Sequence, residues 1–432
     1  MDNGKIWLNR NAAIDTTTQA PRFTDVNTDN PDRHYTWFYR ETSGSPTSTA
    51  EFNFGQRPYN FTPPDGFKPL STNNFPTQQT PHVINPKKHF DILTYTGNGG
   101  TDHDITGLQF KPDLVWIKSR SQNSSNHGLS DSVRLDSGSH PMLYPNLQNA
   151  ETVGGSYVDV GGGSTPFLHN GIRVNNNTSG NNNGDTYVAW CWKAGGGGGV
   201  TNNDGSKTVT LSANREAGFS IIEWSGNDAN STVGHGLGKK PKFFVVKSRT
   251  HSQNWFVYHD GTGSTKNPRW NDTASAYTTA NIWNNTEPTD TVLHLGSSSG
   301  VNGAGNSYIC YCWAEIPGYS KFGVYRGNNN SDGPYIHLGF RPAWVMIKNT
   351  AAGSTEWYIL DGARDPDNPV GQYLSSSSGA AEATYIFYDF LSNGFKLRNT
   401  GAAQNPNNQD IIYMAFAEQP GSTAYDTETN AR

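Results

Sequence analysis

Short apolar runs separated by Gly, Asn, Ser and Pro dominate the chain from residue 87 onward, and apolar positions at helical spacing are nearly absent. That pattern predicts strands joined by turns. The sharpest runs, Leu114-Val-Trp-Ile, Phe243-Phe-Val-Val and Trp344-Val-Met-Ile, are apolar at consecutive positions. Strand side chains alternate between faces, so an unbroken apolar run predicts a strand covered on both sides.

These runs belong to a repeat. Phe90-Asp-Ile-Leu-Thr-Tyr-Thr-Gly-Asn recurs as Phe219-Ser-Ile-Ile-Glu-Trp-Ser-Gly-Asn and again as Phe322-Gly-Val-Tyr-Arg-Gly-Asn. Each copy then reaches a proline (Pro112, Pro241, Pro342), a lysine six residues on (Lys118, Lys247, Lys348) and an aspartate thirteen beyond that (Asp131, Asp260, Asp361). Each closes on an aromatic-rich strand: Tyr187-Val-Ala-Trp-Cys-Trp, Tyr308-Ile-Cys-Tyr-Cys-Trp and Ile412-Tyr-Met-Ala-Phe-Ala. A repeat of about a hundred residues is too long for a solenoid turn and suits a small domain. The expected architecture is therefore all-β, with tandem antiparallel β-sandwich modules at 87–196, 205–316 and 317–420. Residues 1–70 form a separate β segment, the proline-rich stretch 71–86 a linker, and 421–432 a polar tail. The glycine run 195–199 predicts a flexible joint or a close chain approach, whereas nothing separates the second and third modules. The expectation is that those two pack together while the first has more freedom.

Composition narrows the function. Of the 432 residues only 16% are charged, while twelve Trp, twenty Tyr and twenty Phe supply apolar bulk. The net charge of −5 has no long runs behind it, which argues against nucleic acid as a partner. No stretch approaches the ~20 apolar residues of a bilayer span, and the start of the chain lacks a signal-peptide pattern, so no membrane insertion is expected. Cys191, Cys310 and Cys312 read as small core residues of the closing strands, because two cysteines on one face of one strand cannot bridge each other.

Two resemblances bear on what the chain does. Asn3-Gly-Lys-Ile-Trp-Leu-Asn and Phe52-Asn-Phe-Gly-Gln-Arg-Pro, followed by Pro63-Pro-Asp-Gly-Phe, resemble the C-terminal half of a SPRY domain. The three modules, with Tyr95-Thr-Gly-Asn-Gly, Lys111-Pro-Asp-Leu-Val-Trp-Ile-Lys, Gly318-Tyr-Ser-Lys-Phe-Gly and Phe340-Arg-Pro-Ala-Trp-Val-Met-Ile-Lys, resemble repeats in structural proteins of marine tailed bacteriophages. A SPRY domain has strands that would precede Asn3; either the chain is a fragment or a neighbouring chain donates them. The resemblance implies a concanavalin A/SPRY-like sandwich and a non-enzymatic virion component, a tail fibre or appendage that contributes to host-surface attachment. It also implies self-association, with a trimer as the usual fibre state, and contact with other virion proteins and a host-surface glycan. The rival class is a carbohydrate-binding, lectin-like adhesin or a polysaccharide depolymerase.

No catalytic, cofactor-binding or metal-ligating spacing stands out. Gly296-Ser-Ser-Ser-Gly matches a nucleophile-elbow string, but a loop follows it where a helix is required. The histidines lack metal-ligand spacing, and His235 and His337 read as structural residues ahead of the buried strand. The repeated Lys118/Asp131, Lys247/Asp260 and Lys348/Asp361 fit either a ligand site present in triplicate or local strand-end pairs. Arg134 and Arg364 follow their aspartates by three, whereas the second copy has Gly263. Trp255, Trp270 and Trp283, set among Asn, Asp and Thr, fit either an exposed platform for sugar rings or the core of a leucine-poor domain.

Overall fold

Each repeat contains the same set of four adjacent antiparallel strands. In the first repeat the strands are β1 (Phe90–Thr96), β2 (Leu114–Ser119), β3 (Gly128–Asp131) and β4 (Thr186–Trp192), in the spatial order β1-β4-β2-β3. The second repeat contributes β5 (Phe219–Ser225), β6 (Pro241–Ser248), β7 (Phe256–His259) and β8 (Ser307–Ala314), and the third β9 (Ser320–Arg326), β10 (Pro342–Asn349), β11 (Tyr358–Asp361) and β12 (Asp410–Ala417). Their orders, β5-β8-β6-β7 and β9-β12-β10-β11, are the same as the first. The structure is a computed structural model that describes residues 83, 85–134, 141–152, 166–176 and 179–418. All of these fall in one compact unit, Pro81–Arg432. The SPRY-like segment at 1–70, most of the linker at 71–86 and the tail at 421–432 lie outside the described residues.

The unbroken apolar runs do lie between two covered faces. On β2, β6 and β10 the residues Leu114 and Trp116, Phe243 and Val245, and Trp344 and Met346 point into one core shared by all three repeats. The intervening Val115 and Ile117, Phe244 and Val246, and Val345 and Ile347 point into three separate outer cores, one per repeat. Each outer core is closed by a second layer of short strands. His103–Thr106 pairs with Gly171–Val174 in the first repeat, Ser231–Gly234 with Val292–Leu295 in the second, and Tyr335–His337 with Gly394–Leu397 in the third. In the third repeat Val370–Ser375 and Ala383–Leu391 join the two layers into one eight-stranded sheet.

Eight of the chain's twelve tryptophans lie in the shared core. Trp192 meets Trp313 and Trp344 at 6.0 Å each, at steep interplanar angles of 67° and 89°, so rings from all three repeats interlock at the centre. Only an apolar void of about 10 Å³ remains there. The first module is therefore not the freer one, because its inner face is covered by the other two. The glycine run that suggested a joint is a close approach. A Cβ on Gly195 would stand 2.9 Å from the Ala213 backbone, and one on Gly199 2.9 Å from Thr210.

The Gly-Asn pair that opens each repeat has a steric cause. A Cβ on Gly97, Gly226 or Gly327 would sit 2.2, 2.0 or 2.1 Å from a carbonyl oxygen of the loop before the closing strand. The asparagine that follows accepts from a buried amide in that loop: Asn181 to Asn98 at 3.0 Å, Asn302 to Asn227 at 2.9 Å and Asn405 to Asn328 at 3.1 Å. The register also corrects one alignment. Phe90 and Phe219 face Trp192 and Trp313, but the residue facing the equivalent Phe416 is Ser320, and Phe322 lies two positions further on, opposite Met414. Cys191, Cys310 and Cys312 are free and buried. Cys191 and Cys312 stand at equivalent positions of β4 and β8, where β12 has Ala415.

Candidate functional site

The repeated lysines end the buried strand runs, and all three are fully buried. Burial pushes their pKa values down, to about 8 for Lys118, about 7 for Lys247 and about 8 for Lys348. Their ammonium groups face backbone carbonyls instead of carboxylates. Lys118 donates to Ser119 at 2.8 Å and Gly379 at 3.3 Å. Lys247 donates to Ser248 at 2.9 Å and Gln148 at 3.1 Å, and Lys348 to Thr355. Gly379 belongs to the third repeat and Gln148 to the first, so two of the lysines reach across into a neighbour.

The same crossing recurs around the molecule and closes on itself. Glu151 N–H of the first repeat donates to Arg249 of the second at 2.8 Å. Ala276 N–H of the second donates to Thr350 of the third at 2.9 Å, and Glu382 N–H of the third to Arg120 of the first at 2.8 Å. A ring nitrogen after each lysine strengthens each join. Trp255 Nε1 donates to Tyr144 and Leu147 at 3.0 and 3.1 Å, and Trp357 Nε1 to Arg269 at 2.8 Å. His127 Nε2 takes that place at the third join, 2.9 Å from Ser375 O and 3.1 Å from Ser378 O. Because its Nδ1 accepts from Trp116 Nε1 at 2.9 Å, His127 is the neutral Nε2–H tautomer, and burial drives its pKa down to about 3.

The aspartates do not pair with the lysines. Asp131 is clamped by Arg134 at 2.6 Å and by the Tyr311 hydroxyl of the second repeat at 2.7 Å. Asp361 is clamped in the same way by Arg364 at 2.6 Å and by Trp190 Nε1 of the first repeat at 3.0 Å. Each arginine reaches on to a glutamate, Arg134 to Glu151 and Arg364 to Glu382 at 2.8 and 2.7 Å. Those glutamates in turn bind Arg249 and Arg120 of the neighbouring repeat at 2.9 and 2.8 Å. Burial opposes the charge on Arg134, and Asp131, Tyr311 and Glu151 overcome it, so its pKa is raised. Burial also works against Glu151, yet its two arginines hold its pKa below the ordinary value.

Asp260 is the exception. The residue facing Phe243, as Asp131 faces Leu114 and Asp361 faces Trp344, is His259. His259 Nε2 donates to Tyr413 O of the third repeat at 3.0 Å, and its Nδ1 accepts from Gly261 at 2.9 Å. Burial lowers its pKa to about 4. Met414, which occupies the place of Trp190 and Tyr311, has no donor to offer a carboxylate, so a histidine bonded to the backbone replaces the Asp–Arg pair. Asp260 itself turns outward to Lys242 at 2.7 Å and Lys240 at 3.3 Å.

The three tryptophans considered for sugar contact have no exposed ring. Trp255 and Trp270 lie in the shared core and Trp283 in the outer core of the second repeat, none more than 2% exposed. The expected platform is corrected to core packing: in a chain poor in leucine these indoles fill the interior. The partners that complete the joins, Tyr311, Trp190, Glu151 and Glu382, carry no spacing that links them to the lysines and aspartates. Their traces in sequence are the closing strands, where Trp190 and Tyr311 hold the same position, and the glutamates that follow Arg134 and Arg364 by 17 and 18 residues. Among the described residues, no group of three His, Cys, Asp or Glu is placed to hold a metal ion, and no helix is long and apolar enough to cross a membrane.

No curated protein matches the chain. A family described as a domain of unknown function (DUF7483) matches residues 85–420, one domain that runs through all three repeats. A single family unit is what a closed set of joins and one shared core require, and the chain belongs to the DUF7483 family.

Proposed function

We propose that this chain is a non-enzymatic structural component of a bacteriophage virion, in a tail fibre or related appendage, where it contributes to host-surface attachment. One observation carries the reading. Most of the repeated buried polar positions, Lys118, Lys247, Asp131, Asp361 and His259, are bonded to a neighbouring repeat, and such an arrangement makes a rigid block. The likeness of the repeat motifs to structural proteins of tailed phages supplies the location. In that setting the block spaces and presents surface loops, and several copies on one particle turn weak contacts into firm attachment. Partners on this reading are further copies of the chain, other virion proteins and a host-surface glycan. Mass spectrometry of gradient-purified particles from the phage that encodes the chain tests it. The chain should be present at a fixed ratio to the other tail proteins; its confinement to the particle-free lysate would overturn the proposal. Carbohydrate binding without a virion role is the second reading, favoured by a surface feature of the third repeat.

A further inference from the structure

The third repeat carries a solvent-open cleft of about 340 Å³ whose lining includes Tyr358, Tyr373, Thr384, Tyr385, Phe387 and Gln404. Its origin is a break in the sheet. Val370 pairs with Tyr388 and Gln372 with Thr384, so the one residue between them on the first strand, Gly371, is opposed by three on the other, Tyr385, Ile386 and Phe387. A bulge of this kind bends its strand and re-aims the extra side chains. Here it pushes Tyr385 and Ile386 outward, 45% and 53% exposed, beside the rings left behind. Tyr358 and Tyr373 meet at 5.4 Å and 71°, Tyr373 and Phe387 at 5.2 Å and 55°, and Tyr385 and Phe387 at 5.6 Å and 86°. The result is a concave set of aromatic faces at differing tilts.

From this geometry we infer that the cleft binds a neutral saccharide ring. A pyranose has an apolar face for an aromatic ring and a rim of hydroxyls that both donate and accept. Around the cleft, the hydroxyls of Tyr373, Thr384 and Tyr385 make no hydrogen bond with other described residues, and Gln404 adds an amide to the lining. No charged side chain lines the cleft, which disfavours phosphate, nucleotide and carboxylate ligands. The volume lies at the lower end of the range for small-molecule sites, about 300–1,000 Å³, and suits one or two sugar rings. An extended peptide would need a longer open strand edge: Tyr388–Leu391 pairs with Gly394–Leu397, and the carbonyls of Phe387 and Ile386 accept from Arg398 N–H and Asn399 Nδ2, which leaves only 383–385 without a second partner.

The inference deepens the attachment role proposed above, and the two can fail separately. Saturation-transfer NMR on the full chain would use methyl glycosides of glucose, galactose, mannose, N-acetylglucosamine and fucose, with methyl glucuronide as the charged comparison. Saturation should reach the ring protons of at least one neutral glycoside and should exceed that of the glucuronide. Tyr385→Ala should weaken the signal at least ~10-fold, the loss of one good contact, whereas Tyr277→Ala, another exposed tyrosine outside the cleft, should leave it unchanged. Tyr385 is exposed, so an unaltered near-ultraviolet circular dichroism spectrum certifies the fold of the variant; Thr384→Asp, which puts a charge into the lining, should give the same loss. No transfer to any neutral glycoside, or transfer that survives both variants, would overturn the cleft. Sugar binding by a chain absent from particles would sink the virion reading alone, and a particle-borne chain that binds no sugar would sink the cleft alone.

Discussion

The join between the second and third repeats differs from the other two. At the first–second and third–first joins, charges run in a chain from one repeat to the next, partly exposed at one end and buried at the other: Arg249, Glu151, Arg134 and Asp131 at one join, Arg120, Glu382, Arg364 and Asp361 at the other. At the second–third join the strand partner is His259 on a backbone carbonyl, and Thr262 stands where the first and third repeats have Arg134 and Arg364. Yet the backbone hydrogen bond that crosses each join is retained at all three, 2.8, 2.9 and 2.8 Å long. The difference separates two roles. Backbone bonds, a ring nitrogen on a carbonyl and interlocked indoles set the geometry, and the charge chain is an addition that the geometry tolerates. This agrees with the general behaviour of buried ion pairs, whose desolvation cost offsets much of their attraction.

Acid should act most strongly, and unevenly. His127 and His259 are held neutral with pKa values near 3 and 4, below the ordinary 6.5. The unfolded chain therefore binds protons that the folded chain refuses, and stability falls as pH drops from 6.5 toward those values. Each histidine contributes roughly 2 kcal/mol of loss by pH 5, from about 1.4 kcal/mol per pH unit. Both sit at joins to the third repeat, so hydrogen exchange at pH 5 should show the third–first and second–third joins loosening before the first–second join. Equal loosening at all three would contradict the assignment of these tautomers.

Comparable in size to the two histidines together is the charge chain itself. Arg364→Ala leaves Asp361 buried without its cation and Glu382 with Arg120 alone, and should cost about 3–5 kcal/mol by urea unfolding. Replacing the whole set with apolar residues of similar volume, Asp361→Leu, Arg364→Met and Glu382→Leu together, should restore most of that loss. If the triple variant is as unstable as Arg364→Ala, the charges set the geometry and the comparison above is wrong. Asp260→Ala should have the smallest effect, under about 1 kcal/mol, because Asp260 and its two lysines are partly solvated. A loss near that of Arg364→Ala would place Asp260 with the buried aspartates after all.

Parts of this were legible in the residues. Consecutive apolar positions in Leu114-Val-Trp-Ile and its two counterparts correctly foretold a strand covered on both sides, because strand alternation makes that the only way to bury both sets. Gly-Asn in every copy marked a real constraint. What the residues could not convey was that the second cover is another repeat. A run of apolar side chains looks the same whether it meets its own second layer or a neighbour's sheet. For the same reason Trp255 and Trp270 looked free to face solvent. Counting thirteen residues from Lys247 reached Asp260, but strand pairing selects His259, since the loop after Lys247 brings its strand into register one residue earlier. Spacing in sequence is blind to such a shift. The bulge at Tyr385 left one faint mark, Gly371, where a Cβ would stand 2.5 Å from Tyr385 O, but a lone glycine inside a strand does not say which partner bulges.

The three repeats form one closed unit around a shared core. Native-state hydrogen exchange on the full chain tests it most directly, comparing the wild type with Trp357→Ala at the join that lacks the charge chain. Loss of a buried indole costs about 3–5 kcal/mol. If the unit is closed, the slowest amides of β2 and β4, β6 and β8, and β10 and β12 should all lose protection by that same amount, because they exchange only through global opening. A loss confined to the third repeat and its partner loop, with β2 and β4 as protected as before, would show three independent domains and contradict the account.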